Sequence, residues 1–209
     1  MSVENVLARI AELHQGLVSP STAAQSASGA QFATMLQGQS SSAGAAGAAG
    51  SATALGFSGA DATAGQRALA FAQGEVGQAE QPPGSNDSPR IADYRASTAG
   101  SGIGPWCAYF VSAAAQQAGA PLGEAGQGFG SVSAVSAWAQ RTGRWSPAAS
   151  GTPPQAGDLI VWGGEHIGIV ESVDPDGRIH TIEGNSSNAV TRRTHDASGD
   201  GATGYVRLG

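Results

Sequence analysis

The chain has one cysteine, Cys107, standing where the Gly104-Pro105 loop runs into the Ala-rich stretch Trp106 to Ala118. A thiol in the first turn of a helix faces unpaired N–H groups and the positive end of the macrodipole, and both favour the nucleophilic thiolate. The same N–H groups are candidates for an oxyanion hole. Taken alone, a cysteine before such a helix is more often a packing residue. His166 changes the balance, because it follows Gly163-Gly164-Glu165 at the start of an apolar, strand-like stretch, where the end of a sheet can present an imidazole to a cleft. The next such stretch closes on Ile182-Glu183-Gly184-Asn185. A cysteine hydrolase needs a base to take the thiol proton and a polar third group to hold the imidazole in the useful tautomer. Cys107, His166 and either Glu183 or Asn185 supply those roles on neighbouring elements. Each residue by itself reads as an ordinary polar residue at an element end; their joint occurrence points to nucleophilic acyl transfer.

Composition narrows the field further. All ten basic residues are Arg, so there is no lysine for a P-loop, a pyridoxal Schiff base or a kinase-type strand. Gly100, Gly102 and Gly104, like Gly126, Gly128 and Gly130, are therefore read as loop glycines. A net charge of −6 argues against a binder of nucleic-acid phosphates. No run of 18 apolar residues is present, so no membrane-spanning helix is expected. One cysteine allows no intramolecular disulfide, and the fold must rest on its apolar core.

The aromatic residues locate that core, since they bury the most area per residue. Only Phe32 and Phe57 precede residue 61, whereas all four Trp and all three Tyr follow it. One globular domain is expected over 61–209. Helices are expected at Gln66 to Val76, after the Ser88-Pro89 cap pair, at Trp106 to Ala118 and at Ser131 to Arg141. After Pro153-Pro154 the period changes, and strands are expected at Asp158 to Trp162, His166 to Val173, Arg178 to Glu183 and Tyr205 to Leu208. Helices followed by a meander imply an α+β domain with an antiparallel sheet.

Four ordered stretches, Pro105-Trp106-Cys107-Ala108-Tyr109-Phe110-Val111, Pro154-Gln155-Ala156-Gly157-Asp158-Leu159-Ile160, His166-Ile167-Gly168-Ile169-Val170 and Ile182-Glu183-Gly184-Asn185, resemble the CHAP domain, the cysteine, histidine-dependent amidohydrolase/peptidase module. The resemblance covers about residues 64–207. It implies a papain-like α+β fold and hydrolysis of peptidoglycan amide bonds, by an N-acetylmuramoyl-L-alanine amidase or a stem or cross-bridge endopeptidase. Carried over position by position, it makes Cys107 the nucleophile, His166 the base, Glu183 the group orienting His166, and Asn185 an assisting polar group. Glu80 to Asn86 resembles the acidic, Asn-containing loop before the cysteine in some relatives, which places Glu80 and Asn86 on the cleft wall. Trp106, Tyr109 and Trp162 adjoin the motifs and are expected to line the groove, unless each instead packs in the core.

No cofactor is expected. Some CHAP lysins carry clustered Asp residues before the cysteine that bind calcium, and Ala96 to Pro105 has none. Asp196 to Gly201 lacks the distal bidentate Glu of a calcium loop and reads as a solvated turn. A zinc site from Cys107, His166 and His180 is weighed against a packed or surface His180, and the second is expected.

Residues 1–37 carry an amphipathic pattern at Val3, Val6, Leu7, Ile10, Leu13 and Leu17, followed by an apolar stripe at Phe32, Met35 and Leu36. Residues 38–60 are an Ala/Gly/Ser-rich stretch expected to be a flexible linker. A helix on a tether needs a surface for its apolar face, either the domain itself or a docking partner. The arrangement resembles leaders of small hydrolases tied to flagellar assembly, which implies an export or flagellar assembly protein as partner. No classical signal peptide is read at the N-terminus, so delivery to periplasm or cell wall through the flagellar export apparatus is one expectation. The rival is a phage-type endolysin, cytoplasmic until release. A non-wall cysteine amidase or protease competes with both, as does a degenerate wall-binding or assembly module without turnover. A monomer acting on peptidoglycan is expected.

Overall fold

The computed structural model describes residues 62–209, so the expected docking segment at 1–37 and linker at 38–60 lie outside the described residues. Four α-helices come first: α1 (Ala64–Gly74), α2 (Pro89–Ala96), α3 (Cys107–Gln117) and α4 (Val132–Arg141). Local chemistry sets their starts. Thr63 and Gln66 form a capping box on α1, Ser88 caps α2 with Pro89 at its first position, and the Ser131 hydroxyl accepts from Ala134 N at the start of α4.

Six strands follow: β1 (Trp145–Pro147), β2 (Leu159–Trp162), β3 (His166–Val173), β4 (Ile179–Ser186), β5 (Ala189–His195) and β6 (Gly204–Val206). They form one antiparallel sheet in the order β1-β6-β2-β3-β4-β5. The fold is therefore α+β, with the helices preceding the sheet as expected, in an arrangement compatible with a papain-like CHAP domain. Two strands differ from the sequence reading. β5 carries exposed Arg192, Arg193 and Thr194 on an edge, so its apolar alternation is too weak to signal a strand, and β1 is a three-residue edge strand. The strand starts at Leu159 rather than Asp158, whose N–H closes a turn onto the Gln155 carbonyl while its carboxylate accepts from Gln155 N and from the Arg207 guanidinium.

Helix α3 lies at the centre of the core, and Cys107 to Ala115 are buried without a break. A helix apolar on every face must be covered on every face. Here α1 and α2 cover one side, and β3 and β4 the other. Tyr94 of α2 stacks on Trp106 at a centroid distance of 6.0 Å and meets Phe110 edge-on at 5.5 Å. On the sheet side the decisive residue is Gly184. A Cβ there would come within 2.6 Å of Phe110 Cβ and 2.9 Å of Trp106 Cζ3, so the missing side chain is what lets α3 rest against β4 beside Cys107.

The centre of the sheet is buried on both faces, which is why β2 reads as the unbroken apolar run Leu159-Ile160-Val161-Trp162. Leu159, Val161, Ile167, Ile169 and Ile182 join the core with the helices. Ile160, Val170, Ile179 and Tyr205 form a second, smaller cluster with Ala202, from the turn that leads into β6.

Candidate active site

Cys107 is the first residue of α3, and its N-cap Trp106 provides no side-chain cap. The first-turn N–H groups of such a helix have no intrahelical acceptor. The imidazole of His166, first residue of β3, lies close enough to the Cys107 side chain for the two to interact. Its Nε2 lies 2.9 Å from Glu183 Oε2. With Nε2 committed to the carboxylate, Nδ1 is the ring nitrogen left for the thiol. The structure thus brings three of the residues singled out in the sequence into the order Cys107, His166, Glu183.

The electrostatics follow from burial and partners. Burial works against a charged His166, but the hydrogen bonds to Cys107 and Glu183 and the charges of both outweigh it and raise the imidazole to about 9. Burial likewise pushes Glu183 up, yet hydrogen bonds from His166, Thr181 and His195 hold its carboxyl down at about 2. An ionised carboxylate beside a readily protonated imidazole stabilises the imidazolium that forms when a thiol gives up its proton.

Glu183 is held from more sides than the sequence suggested. It is only 3% exposed, and both of its oxygens are used. Oε2 faces His166, while Oε1 accepts from Thr181 Oγ1 at 2.6 Å and lies 2.7 Å from His195 Nε2. His195 Nδ1 in turn lies 2.8 Å from Asp200 Oδ2. The Trp162 ring flanks both imidazoles, with centroids 5.5 Å from His166 and 4.9 Å from His195. Thr181, His195 and Asp200 escaped the sequence reading. The alternation of Thr181 with Glu183 was the available signal for the first; nothing local marks the other two.

The remaining site expectations divide by burial. Trp106, expected on the groove, is fully enclosed, and its Nε1–H donates to Glu80 Oε1 at 2.9 Å. Glu80, expected on the cleft wall, is itself buried beneath it and fixes the residue before Cys107. The reason is geometric: the N-cap position turns the indole back toward α2 and the loop before it. Tyr109 is buried too, its hydroxyl donating to the Gly102 carbonyl at 2.9 Å, so it anchors the loop ahead of Cys107. Trp162 is half-buried beside His166. Asn185 and Asn86 are half-buried with left-handed backbone, φ 58° and 55°, and among the described residues no side-chain hydrogen bond ties either to Cys107, His166 or Glu183. His180 is paired with Asp174 at 2.9 Å and takes no part in the group. Asp196 closes its own turn, accepting from Ser198 N and Asp200 N at 2.8 and 3.0 Å.

Comparison with known proteins gives one family. The CHAP domain model matches residues 98–185, a span that includes Cys107, His166, Glu183 and Asn185 and stops short of His195. A search of curated proteins finds no match. Residues 98–185 therefore match the CHAP domain, a family that implies hydrolase activity of the amidase or peptidase kind.

Proposed function

We propose that the protein hydrolyses amide bonds of bacterial peptidoglycan through a thioester on Cys107. The observation that carries this reading is the His166–Glu183 hydrogen bond beside Cys107, with the thiol at an uncapped helix start. The thiolate adds to the carbonyl carbon of the substrate amide, and the first-turn N–H groups of α3 stabilise the oxyanion. The C–N bond breaks as His166 gives its proton to the departing amine. Water then attacks the thioester, His166 takes the proton, and the C–S bond breaks to restore the thiolate. Glu183 keeps the imidazole turned with one nitrogen toward sulfur and compensates its charge. Trp162 contributes an aromatic wall beside His166.

The family supports the amidase or peptidase chemistry, and the resemblance of the four motifs to wall-active CHAP domains supports peptidoglycan as substrate. The place of action is then the cell wall, with residues 1–37 as the docking segment for an export or flagellar assembly protein. Purified peptidoglycan and casein, each incubated with the protein and with Cys107→Ala, test this reading. Release of soluble wall fragments by the unsubstituted protein alone is expected; cleavage of casein but not wall would assign a general peptidase, and no turnover of either a binding module.

A further inference from the structure

Glu183 is clamped between two histidines, and only one of them is needed for the proposed chemistry. His195 comes from the edge strand β5, outside the span that matches the family model. Its imidazole is 10% exposed, deeper than that of His166 at 27%. Both ring nitrogens face carboxylate oxygens, Glu183 Oε1 at 2.7 Å and Asp200 Oδ2 at 2.8 Å, and each bond is made when that nitrogen carries a proton. Asp200 sits at φ 50° in a turn pinned by Asp196, so its carboxylate is presented to His195 by the backbone. The groups facing this imidazole are thus Glu183 and Thr181 from β4, the Thr181 hydroxyl 3.2 Å from Nε2, with Asp200 and Asp196 from the following turn. Those facing Glu183 are His166, His195 and Thr181.

A carboxylate held through one oxygen can swing about its terminal torsion, which is broad. One held through both oxygens presents a fixed Oε2 to His166. We propose that His195, backed by Asp200, is a positioning residue that fixes the Glu183 carboxylate and thereby the imidazole that serves Cys107. The proposal rests on the reading of Cys107 and His166 given above and adds to it a histidine and a carboxylate on the far side of Glu183. In chain order the relay runs Cys107, His166, Glu183, His195, Asp200, with the last member at the surface.

Because Cys107 is the only cysteine, its alkylation by iodoacetamide can be followed on the whole protein by mass and needs no substrate. The rate is measured across pH for the unsubstituted protein and for His166→Ala, His195→Ala, His195→Gln and Asp200→Asn, with circular dichroism of each. His166→Ala tests the underlying reading, since loss of the partner imidazole should slow alkylation at pH 7 by about a hundredfold. His195→Ala should slow it by about tenfold and move the profile to higher pH, the scale of one hydrogen bond to a charged group. His195→Gln, which keeps an N–H for Oε1, should restore most of the rate, and Asp200→Asn should shift the profile the same way by less. An unchanged His166→Ala overturns the reading of the site. A slowed His166→Ala with unchanged His195→Ala overturns the positioning role alone. If His195→Ala does not fold, Asp200→Asn decides, because Asn accepts the same left-handed backbone at an exposed turn; an unshifted profile there also overturns the proposal.

Discussion

Gly168 lies against the side chain of Glu183: a Cβ on Gly168 would stand 2.7 Å from Glu183 Cγ and 3.3 Å from the Ile182 carbonyl oxygen. Residue 168 is two positions beyond His166 on β3, so the strand that carries the imidazole also leaves the space in which the carboxylate meets it. Gly168→Ala is expected to displace Glu183 and to lower kcat/KM by ten- to a hundredfold, because misplacement by about 1 Å costs that much. Its overpacking cost is about 1–3 kcal/mol. Fragment-release kinetics with a thermal melt separate the two effects.

His166 owes its high affinity for a proton chiefly to Cys107 and Glu183, against the pull of burial. Removing the sulfur leaves burial with one opponent fewer. In Cys107→Ala the His166 titration, followed by NMR of its ring protons, should therefore move down from about 9. An unmoved midpoint would show that the thiol does not touch the imidazole.

Glu183 gives stability a defined acid limb. Its carboxyl lies lower folded, at about 2, than its ordinary 4.5, so the folded state binds this proton less readily than the unfolded state. The stabilisation is complete above 4.5 and is lost as pH falls through about 2. Urea unfolding of the unsubstituted protein and of Glu183→Gln should differ most near pH 7, and the gap should narrow progressively below pH 4.5. His166 works in the opposite sense: its contribution is complete below 6.5 and is lost as pH rises through about 9.

Trp106→Phe probes the buried support beneath the cysteine. The indole N–H satisfies Glu80 Oε1, while Glu80 Oε2 is buried with no hydrogen-bond partner. Without that donor the whole buried carboxylate loses its side-chain partner, at an expected cost of about 1–3 kcal/mol. Glu80→Gln combined with Trp106→Phe should cost less than the sum of the single changes, as read from denaturant unfolding.

The elements and the nucleophile could be read from the sequence because their signals are local. Ser88-Pro89 states a helix start in two residues, and Leu159 to Trp162 states a strand buried on both faces. Cys107 and His166 could be read because each begins an element with an apolar pattern, and Glu183 because it directly follows the apolar Ile182 before Gly184. What escaped depends on register. His195 pairs across β4 with Ile179, and its imidazole reaches Glu183 only because the sheet sets those strands side by side. The direction of the Trp106 side chain is likewise fixed by packing on Tyr94 and Glu80, which no spacing in the chain encodes.

The central claim is acyl transfer by Cys107 on wall amides, and mass spectrometry of digested, purified peptidoglycan tests it most directly. The account predicts that the unsubstituted protein releases fragments with new amine and carboxylate ends in equal amounts, at a single type of amide bond, and that folded Cys107→Ala releases none. Fragments from Cys107→Ala at a comparable rate, or ends produced by glycan cleavage, would contradict it.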